Sequence, residues 1–239
     1  MTFTELMAEA RASRERPPFL GRRFDAKGQA LTEPGCTIIG HIRDEAGQAA
    51  LAAARARIEG SAAGRCWAWL PPSSWHMTMF DLLLHANGEK PEFRADWQRE
   101  LRGREADLAM VERFRGMGAG TPPPYRMQVT GLWRRPEAMG VRLEGETEAE
   151  EARIRAMRDR LADAAGLRQR PGHETYGFHI TLAYMIDWPD AVEAEEAERA
   201  IDMAEAELIE THPVFELGAP EVCLFDDMEE FRPQFFLSA

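Results

Sequence analysis

Two H-x-T triplets constrain the fold of this chain more than any other feature. His76-Met77-Thr78 and His179-Ile180-Thr181 each lie in an apolar run typical of a buried strand, one in each half of the chain. Because side chains at i and i+2 of a strand point to the same face, each triplet presents an imidazole beside a hydroxyl. Two such strands predict a protein built from two related halves that bring both triplets to one site.

A third H-x-T triplet lies in a different context. His173-Glu174-Thr175 follows Pro171 and Gly172, which mark a turn instead of a strand. Because His173 precedes His179 by only six residues, we keep it as a candidate phosphate ligand. The other three histidines are interpreted as packing residues: His41, His85 and His212.

Helix and strand patterns alternate along both halves. The helix of the second half is the best delimited, because Thr147 can accept from its first backbone amides and Gly166 can end it. Besides the two H-x-T strands, we expect strands at 36–42, 65–70, 125–133, 139–143, 214–217, 222–225 and 234–237. We expect helices at 46–58, 148–165 and 190–210, a helical stretch from 91 to 114, and a short helix near the N-terminus.

A linker divides the chain into two lobes. Residues 116–124 end in three consecutive prolines, which neither a helix nor a central strand accommodates. We therefore predict a single α+β domain over 1–239, with one lobe at about 24–115 and the other at about 125–239. The expected architecture has two antiparallel sheets with flanking helices around a central cleft, a pseudo-two-fold relation, and room for strand exchange between the lobes.

The chain resembles the two-histidine (2H) phosphoesterases, a superfamily that includes the LigT-like RNA 2',3'-cyclic phosphodiesterases. The resemblance rests on two complete H-x-T motifs, each followed by apolar residues, at the separation typical of that superfamily. The flanking segments 70–78 and 176–184 are more similar to a little-characterised bacterial branch than to the LigT enzymes, and the similarity runs from about Arg23 to the C-terminus. The resemblance implies the same bilobal fold, a phosphoric diester hydrolase, a connection to RNA processing, and, in some relatives, 2'-5' RNA ligase activity in reverse.

The same resemblance implies a chemistry for the motif residues. His76 and His179 would act as general base and general acid, in an order that the sequence leaves open. Imidazole suits both roles, because a pKa near 6.5 makes both protonation states accessible around neutral pH. Thr78 and Thr181 would donate hydrogen bonds to the non-bridging phosphate oxygens. This chemistry requires neither a metal nor another cofactor. Further candidate substrate contacts are His173, Tyr184 and Arg23.

The composition limits the classes of partner that the chain can bind. The net charge of −12 argues against a broad, non-specific grip on nucleic acid, which depends on clustered Lys and Arg. A small nucleotide, a cyclic phosphate or an RNA end is the more natural substrate. No apolar run reaches the length of a membrane span and no signal-peptide pattern is present, so we expect a cytoplasmic protein with no membrane partner. Nothing in the sequence indicates an oligomeric state.

Two other interpretations remain open at this point. The first is a non-catalytic module on the same fold that binds nucleotides or RNA ends. The second is a metal hydrolase that uses His76, His173 and His179, although the chain lacks H-x-H and H-E-x-x-H spacings. Intact motifs in both halves argue against the binding module, and the missing ligand spacings rank the metal hydrolase last.

Overall fold

The computed structural model describes residues 1–85 and 91–238. The α-helices in this part of the chain are α1 (Phe3–Ser13), α2 (Glu45–Glu59), α3 (Gly103–Arg113), α4 (Glu148–Ala165) and α5 (Ala191–Thr211). The strands are β1 (Gly35–His41), β2 (Trp67–Trp69), β3 (His76–Leu84), β4 (Tyr125–Arg134), β5 (Ala138–Gly145), β6 (Phe178–Met185), β7 (Val214–Leu217), β8 (Glu221–Phe225) and β9 (Phe231–Phe236). The protein is α+β with antiparallel strands, as the sequence predicts, but the two expected sheets are joined through β3 and β6 into one strongly curled sheet.

The sheet consists of two four-strand halves that meet at the two H-x-T strands. Its order is β7-β4-β5-β6-β3-β1-β8-β9, and β2 pairs separately with β6. β3 and β6 pair antiparallel through Met77 and Ile180, the central residues of the two triplets. Strands β8 and β9, from the end of the chain, complete the half that contains β3. The topology therefore brings the two motifs to adjacent strands at the middle of one curved surface.

Local sequence signals set the helix ends. The Asp44 side chain caps α2 by accepting from the Gly47 amide at 2.6 Å. Thr147 caps α4 in the same way, and α4 ends at Gly166, whose φ of +74° lies in the left-handed region that favours glycine. The predicted bounds of these helices and of α5 are confirmed.

The helices cover the outer side of the sheet in two groups. α1 and α2 pack against α5, while α4 packs against β3 and β5 and α3 packs against β1. The buried apolar side chains of both groups and of the sheet form one continuous core. Within the described ranges, no helix is both long and apolar enough to cross a membrane.

The segment predicted as helical within 91–114 is helical only in part. Short 3₁₀ turns occupy Pro91–Phe93 and Asp96–Gln98, and α3 begins only at Gly103. Trp97, which supplied part of the apolar periodicity, instead donates its indole N–H to the Ala165 carbonyl at 3.1 Å, at the end of α4. An apolar side chain that packs under another helix therefore mimicked the period of a longer helix.

Candidate active site

The paired strands place the histidine and threonine of both triplets on one face of the sheet. Met77 and Ile180 are fully buried and point to the opposite face, into the core. Because side chains alternate along a strand, the histidine and threonine of each triplet point the other way. An antiparallel register centred on the Met77–Ile180 pair sets His76 beside Thr181, and Thr78 beside His179. The site thus has a local two-fold arrangement of one imidazole and one hydroxyl on each strand.

Both imidazoles are held by the same hydrogen bond. His76 Nδ1 lies 2.6 Å from the Ser74 carbonyl oxygen, and His179 Nδ1 lies 2.9 Å from the Gly177 carbonyl oxygen. A carbonyl oxygen can only accept, so Nδ1 must carry the proton in both rings. Nε2 of each ring is consequently the atom that accepts or donates a proton in the site.

The four motif side chains line a cleft with a volume of about 210 Å³. Its polar lining also includes Asp81, Tyr176, Arg23 and Tyr184. Its apolar lining consists of side chains such as Leu70, Leu83, Leu84, Phe225, Met228 and Phe231. An apolar lining with a few convergent polar groups is typical of small-ligand sites.

Burial controls the protonation of the two histidines. Burial lowers the pKa of His76 to about 4, against the opposing effect of the hydrogen bond to Ser74. Burial also lowers the pKa of His179, while the hydrogen bond to Gly177 and the charge of Asp81 oppose it. Asp81 also favours the charged form of His76, whereas His179 disfavours it, so the charges of these groups are coupled within one site.

His76 lies next to a buried ion-pair cluster. His41 is its cross-strand partner on β1, with ring centroids 6.1 Å apart. His41 Nδ1 lies 2.9 Å from Glu221 Oε2, and Arg43 Nη2 donates to the same oxygen at 2.6 Å. Burial alone would raise the pKa of Glu221, but its contacts with His41 and Arg43 outweigh burial and lower it. His41 is thus a packing neighbour of the site, as predicted, with an ionised partner behind it.

His179 lies against aromatic rings. The Trp133 ring centroid is 4.0 Å from the imidazole centroid, and the Tyr176 ring is 6.0 Å away. Arg135 covers Trp133, with its guanidinium carbon 4.1 Å from the ring centroid. Because Trp133 is occupied by His179 and Arg135, it positions His179 instead of offering a free stacking surface.

A β-bulge brings Asp81 to the cleft, where sequence reasoning did not place it. Thr78 and Phe80 pair with consecutive residues of β1, so Met79 is left without a partner. Strict alternation from His76 would turn position 80 toward the cleft and position 81 away from it. The extra residue reverses this phase, and Asp81 lines the cleft together with His76 and Thr78.

Arg158 supports the bulge from beneath. It is 1% exposed, and its guanidinium donates a hydrogen bond to the Met79 carbonyl. Its guanidinium carbon also lies 3.8 Å from the Tyr176 ring centroid. Burial lowers the pKa of Arg158, whereas Tyr176 and Asp81 favour its charged form. Arg158 therefore links α4 to the bulge before Asp81 and to Tyr176, two residues that line the cleft.

Tyr176 and Arg170 complete the surroundings of Asp81. Burial raises the pKa of the Tyr176 phenol, and the charge of Asp81 adds to the rise, so Tyr176 remains a hydrogen-bond donor. Arg170 donates to the Asp81 carbonyl oxygen at 2.6 Å and lies 3.2 Å from its carboxylate. The Asp81 carboxylate is consequently anchored, with a fixed charge close to both histidines.

Arg23 and Tyr184 lie together at one end of the cleft. Arg23 Nη1 donates to the Tyr184 hydroxyl at 2.8 Å, and its Nε pairs with buried Glu33 at 2.5 Å. The guanidinium carbon also lies 4.2 Å from the Phe19 ring centroid. Both candidate contacts therefore line the site, and Arg23 presents a preorganised cation to it.

His173 lies apart from the other candidates. Its Nε2 is 2.8 Å from Asp159 Oδ1 on α4, and the described residues that line the cleft do not include it. His173, Asp159 and Glu174 are close enough to share one metal ion, but Arg168 already pairs with Asp159 at 3.0 Å. This arrangement does not join His173 to His76 and His179, as the metal-hydrolase interpretation requires.

One family model matches part of this chain. Residues 23–138, which include the first H-x-T strand, match a family model described as "2H-phosphodiest: Domain of unknown function (DUF1868)". That match indicates a 2H-phosphodiesterase-like domain, and the α+β fold with its curled sheet is consistent with it. No protein of curated function shows significant similarity to the chain.

Two solved structures are similar to this chain. The crystal structure of a conserved protein of unknown function from Agrobacterium tumefaciens strain C58 has a TM-score of 0.81 and 29% identity, over 93% of each chain. The crystal structure of TT0787 from Thermus thermophilus has a TM-score of 0.36 and 22% identity, over 63% of this chain and 73% of that one. The Agrobacterium protein therefore shares the fold over almost the whole length.

Proposed function

We propose that this protein is a metal-independent cyclic phosphodiesterase that hydrolyses a 2',3'-cyclic phosphate or a related small phosphodiester, including one at an RNA end. The observation that carries the proposal is the pair of imidazoles on adjacent strands, each with Nδ1 bound to a carbonyl and Nε2 available to the cleft. The 2H-phosphodiesterase-like match supports it independently.

In the proposed reaction, Nε2 of one histidine removes a proton from water, and the water oxygen attacks phosphorus. The bond between phosphorus and one ribose oxygen breaks in line, and that oxygen takes a proton from the other histidine. The products are a phosphomonoester and a free ribose hydroxyl. The resemblance to LigT-like enzymes implies a 2'-phosphate product.

We assign the base role to His76 and the acid role to His179. A pKa of about 4 keeps His76 neutral at neutral pH, ready to accept a proton. The Trp133 ring centroid lies 4.0 Å from that of His179, and an aromatic ring at this distance favours a cationic neighbour. Asp81 also favours the imidazolium form of His179, although burial and the charge of Arg135 lower its pKa.

The remaining groups stabilise the phosphorane-like transition state. Thr78 and Thr181 line the cleft between the histidines and can donate to the non-bridging oxygens, whose charge grows during attack. Tyr176 remains protonated and can donate as well. Arg23 supplies the positive charge at one end of the cleft.

The proposal is tested by product analysis. Wild type, His76→Ala and His179→Ala are incubated in EDTA with 2',3'-cyclic nucleotides, 2'-5' dinucleotides and ADP-ribose 1'',2''-cyclic phosphate, and products are separated by chromatography. His212→Ala is the matched control, because His212 packs on Phe215 outside the cleft. We expect wild type and His212→Ala to turn over a cyclic phosphate, and each site variant to be slower by about 10²- to 10⁴-fold.

Three other outcomes would contradict the proposed function. Wild-type rates in both site variants, with circular dichroism showing intact folds, would exclude two-histidine catalysis. Tight binding of a cyclic nucleotide without product formation would support the alternative of a non-catalytic nucleotide- or RNA-end-binding module. If EDTA abolishes turnover and zinc or manganese restores it, the reaction depends on a metal.

A further inference from the structure

A second recess adjoins the cleft on the His179 side. Its volume is about 260 Å³, and its lining includes Trp133, Arg135, Arg142, Arg155, Glu144 and Tyr176. Tyr176 lines both the recess and the cleft, and Trp133 in the recess contacts His179 in the cleft. A substrate held between the two histidines can therefore extend into this recess without leaving the protein surface.

The recess is rich in arginine in a chain that is strongly acidic. Three arginines and one glutamate line it, whereas the whole chain has a net charge of −12. Two of the arginines are paired: Arg155 with Glu151 at 2.7 Å, and Arg135 with Glu137 at 3.6 Å. Guanidinium groups gathered beside a phosphodiester site favour a second anionic group on the same ligand.

Arg142 is the cation best placed to bind that group. Its Nη2 donates to the Thr130 carbonyl at 2.9 Å, and within residues 1–85 and 91–238 no carboxylate lies within ion-pair distance of it. Arg142 is the direct cross-strand partner of His179 in the β5–β6 register, so both side chains leave the same face of the sheet. A guanidinium that forms no ion pair within the described residues thus lies one strand away from the proposed general acid.

We propose that the recess binds a second phosphate of the substrate, so that the preferred substrate is a cyclic phosphate with another phosphate one linkage away. This inference rests on the proposed function, because it names the substrate class for the same site. The second phosphate can be the 5'-phosphate of a mononucleotide or the internucleotide phosphate of a short RNA end. Arg142 holds it, and Arg135 and Arg155 line the recess beside it.

The test compares three substrates that differ in this group. They are adenosine 2',3'-cyclic phosphate, the same compound with a 5'-phosphate, and the dinucleotide ApA with a 2',3'-cyclic phosphate end. We expect wild type to show a kcat/KM at least about 10-fold higher for one or both of the last two, because hydrogen bonds to charged groups are stronger than neutral ones. Which of the two is preferred distinguishes a mononucleotide from an RNA end.

Variants at Arg142 then test whether this side chain causes the preference for a second phosphate. The measured quantity is the ratio of kcat/KM with and without the second phosphate, whatever the absolute rates become. We expect Arg142→Gln to bring the ratio to within about threefold of unity, and Arg142→Lys to keep part of it. Arg57→Gln is the matched control, because Arg57 pairs with Glu207 on an exposed helix surface and its loss changes the net charge equally. Its ratio should equal that of wild type.

The outcomes separate this inference from the proposed function. A wild-type ratio near unity, or an undiminished ratio in Arg142→Gln, overturns the inference while turnover of the simple cyclic phosphate sustains the function. If no substrate is turned over, calorimetry with 2'-AMP and adenosine 2',5'-bisphosphate replaces kinetics. Binding of the bisphosphate at least about 10-fold tighter in wild type but not in Arg142→Gln supports the recess, and equal affinities overturn it.

Discussion

The proposed roles of the two histidines, His76 as base and His179 as acid, predict how each variant responds to a change of leaving group. The general acid is needed because a ribose alkoxide leaves poorly without a proton, and a positioned acid contributes about 10²- to 10⁴-fold to such a step. A thiolate leaves readily without protonation. In the proposed reaction the 3' oxygen leaves, so replacing this bridging oxygen of a 2',3'-cyclic phosphate by sulfur removes the need for the acid but not for the base.

The pKa of His76 sets the fraction of molecules in which His76 can act as a base or as an acid. With a pKa of about 4, about nine molecules in ten carry neutral His76 at pH 5, and about 99 in 100 do so at pH 6. In the reverse assignment, only about one molecule in ten at pH 5 and one in 100 at pH 6 would hold His76 as a usable acid. The shape of a pH–rate profile is the same for both assignments, so the leaving-group experiment must decide.

The assay follows release of the thiol colorimetrically and of the natural product by chromatography, for wild type, His76→Ala and His179→Ala. On the oxygen substrate we expect both variants to be slow. On the sulfur substrate we expect His179→Ala to recover to within about 10-fold of wild type, while His76→Ala stays slow by at least about 10²-fold. Recovery of His76→Ala alone would exchange the roles, and equal recovery of both variants would falsify the acid–base division.

Three further predictions concern the groups around the histidines. Asp81→Asn removes a charge that favours the imidazolium of His179, so the alkaline limb of kcat/KM against pH should move to lower pH, as read from a pH–rate profile. Arg158→Met should lower kcat by at least about 10-fold, because the bulge loses the hydrogen bond to Met79 that supports it. The free energy of unfolding, measured with denaturant, should fall by less than about 2 kcal/mol, because the substitution also removes buried, unpartnered N–H groups of Arg158. The folded-state pKa of Glu221 lies below the usual value of 4.5, so its stabilisation is present above that pH and is lost as the pH falls through the folded-state value. Glu221→Gln should therefore cost about 1–3 kcal/mol at pH 7 and less as the pH falls below about 4, measured by urea unfolding at each pH.

The elements of the fold could be predicted where the signals are local. Thr147 and Gly166 delimit α4 because capping and the left-handed region depend on one or two residues. The H-x-T strands could be recognised because alternation within a triplet does not depend on the rest of the protein. The error at 91–114 arose where Trp97 packs under the end of α4, which is a tertiary contact that periodicity does not distinguish from a helix face.

The site could be predicted only as far as this alternation holds. The triplet residues are within two positions of each other, so no bulge intervenes between His76 and Thr78. Asp81 lies beyond the bulge at Met79, and a bulge is set by the partner strand and by Arg158 on a distant helix. Arg142 could not be found for a similar reason, because its position opposite His179 depends on the β5–β6 register. Pairing register is a property of the folded sheet, not of either strand alone.

The pseudo-two-fold arrangement of the motifs also explains why the site needs two unlike halves. On adjacent strands, two identical H-x-T triplets would create two equivalent imidazoles, and equivalent imidazoles do not divide the roles of base and acid. The surroundings break this equivalence. His76 is buried beside His41 and Phe231, whereas His179 lies against Trp133 next to a recess rich in arginine. In the proposed reaction, the symmetric strands therefore supply the geometry of in-line attack, and the unlike neighbours determine which histidine gives up its proton and on which side the substrate extends.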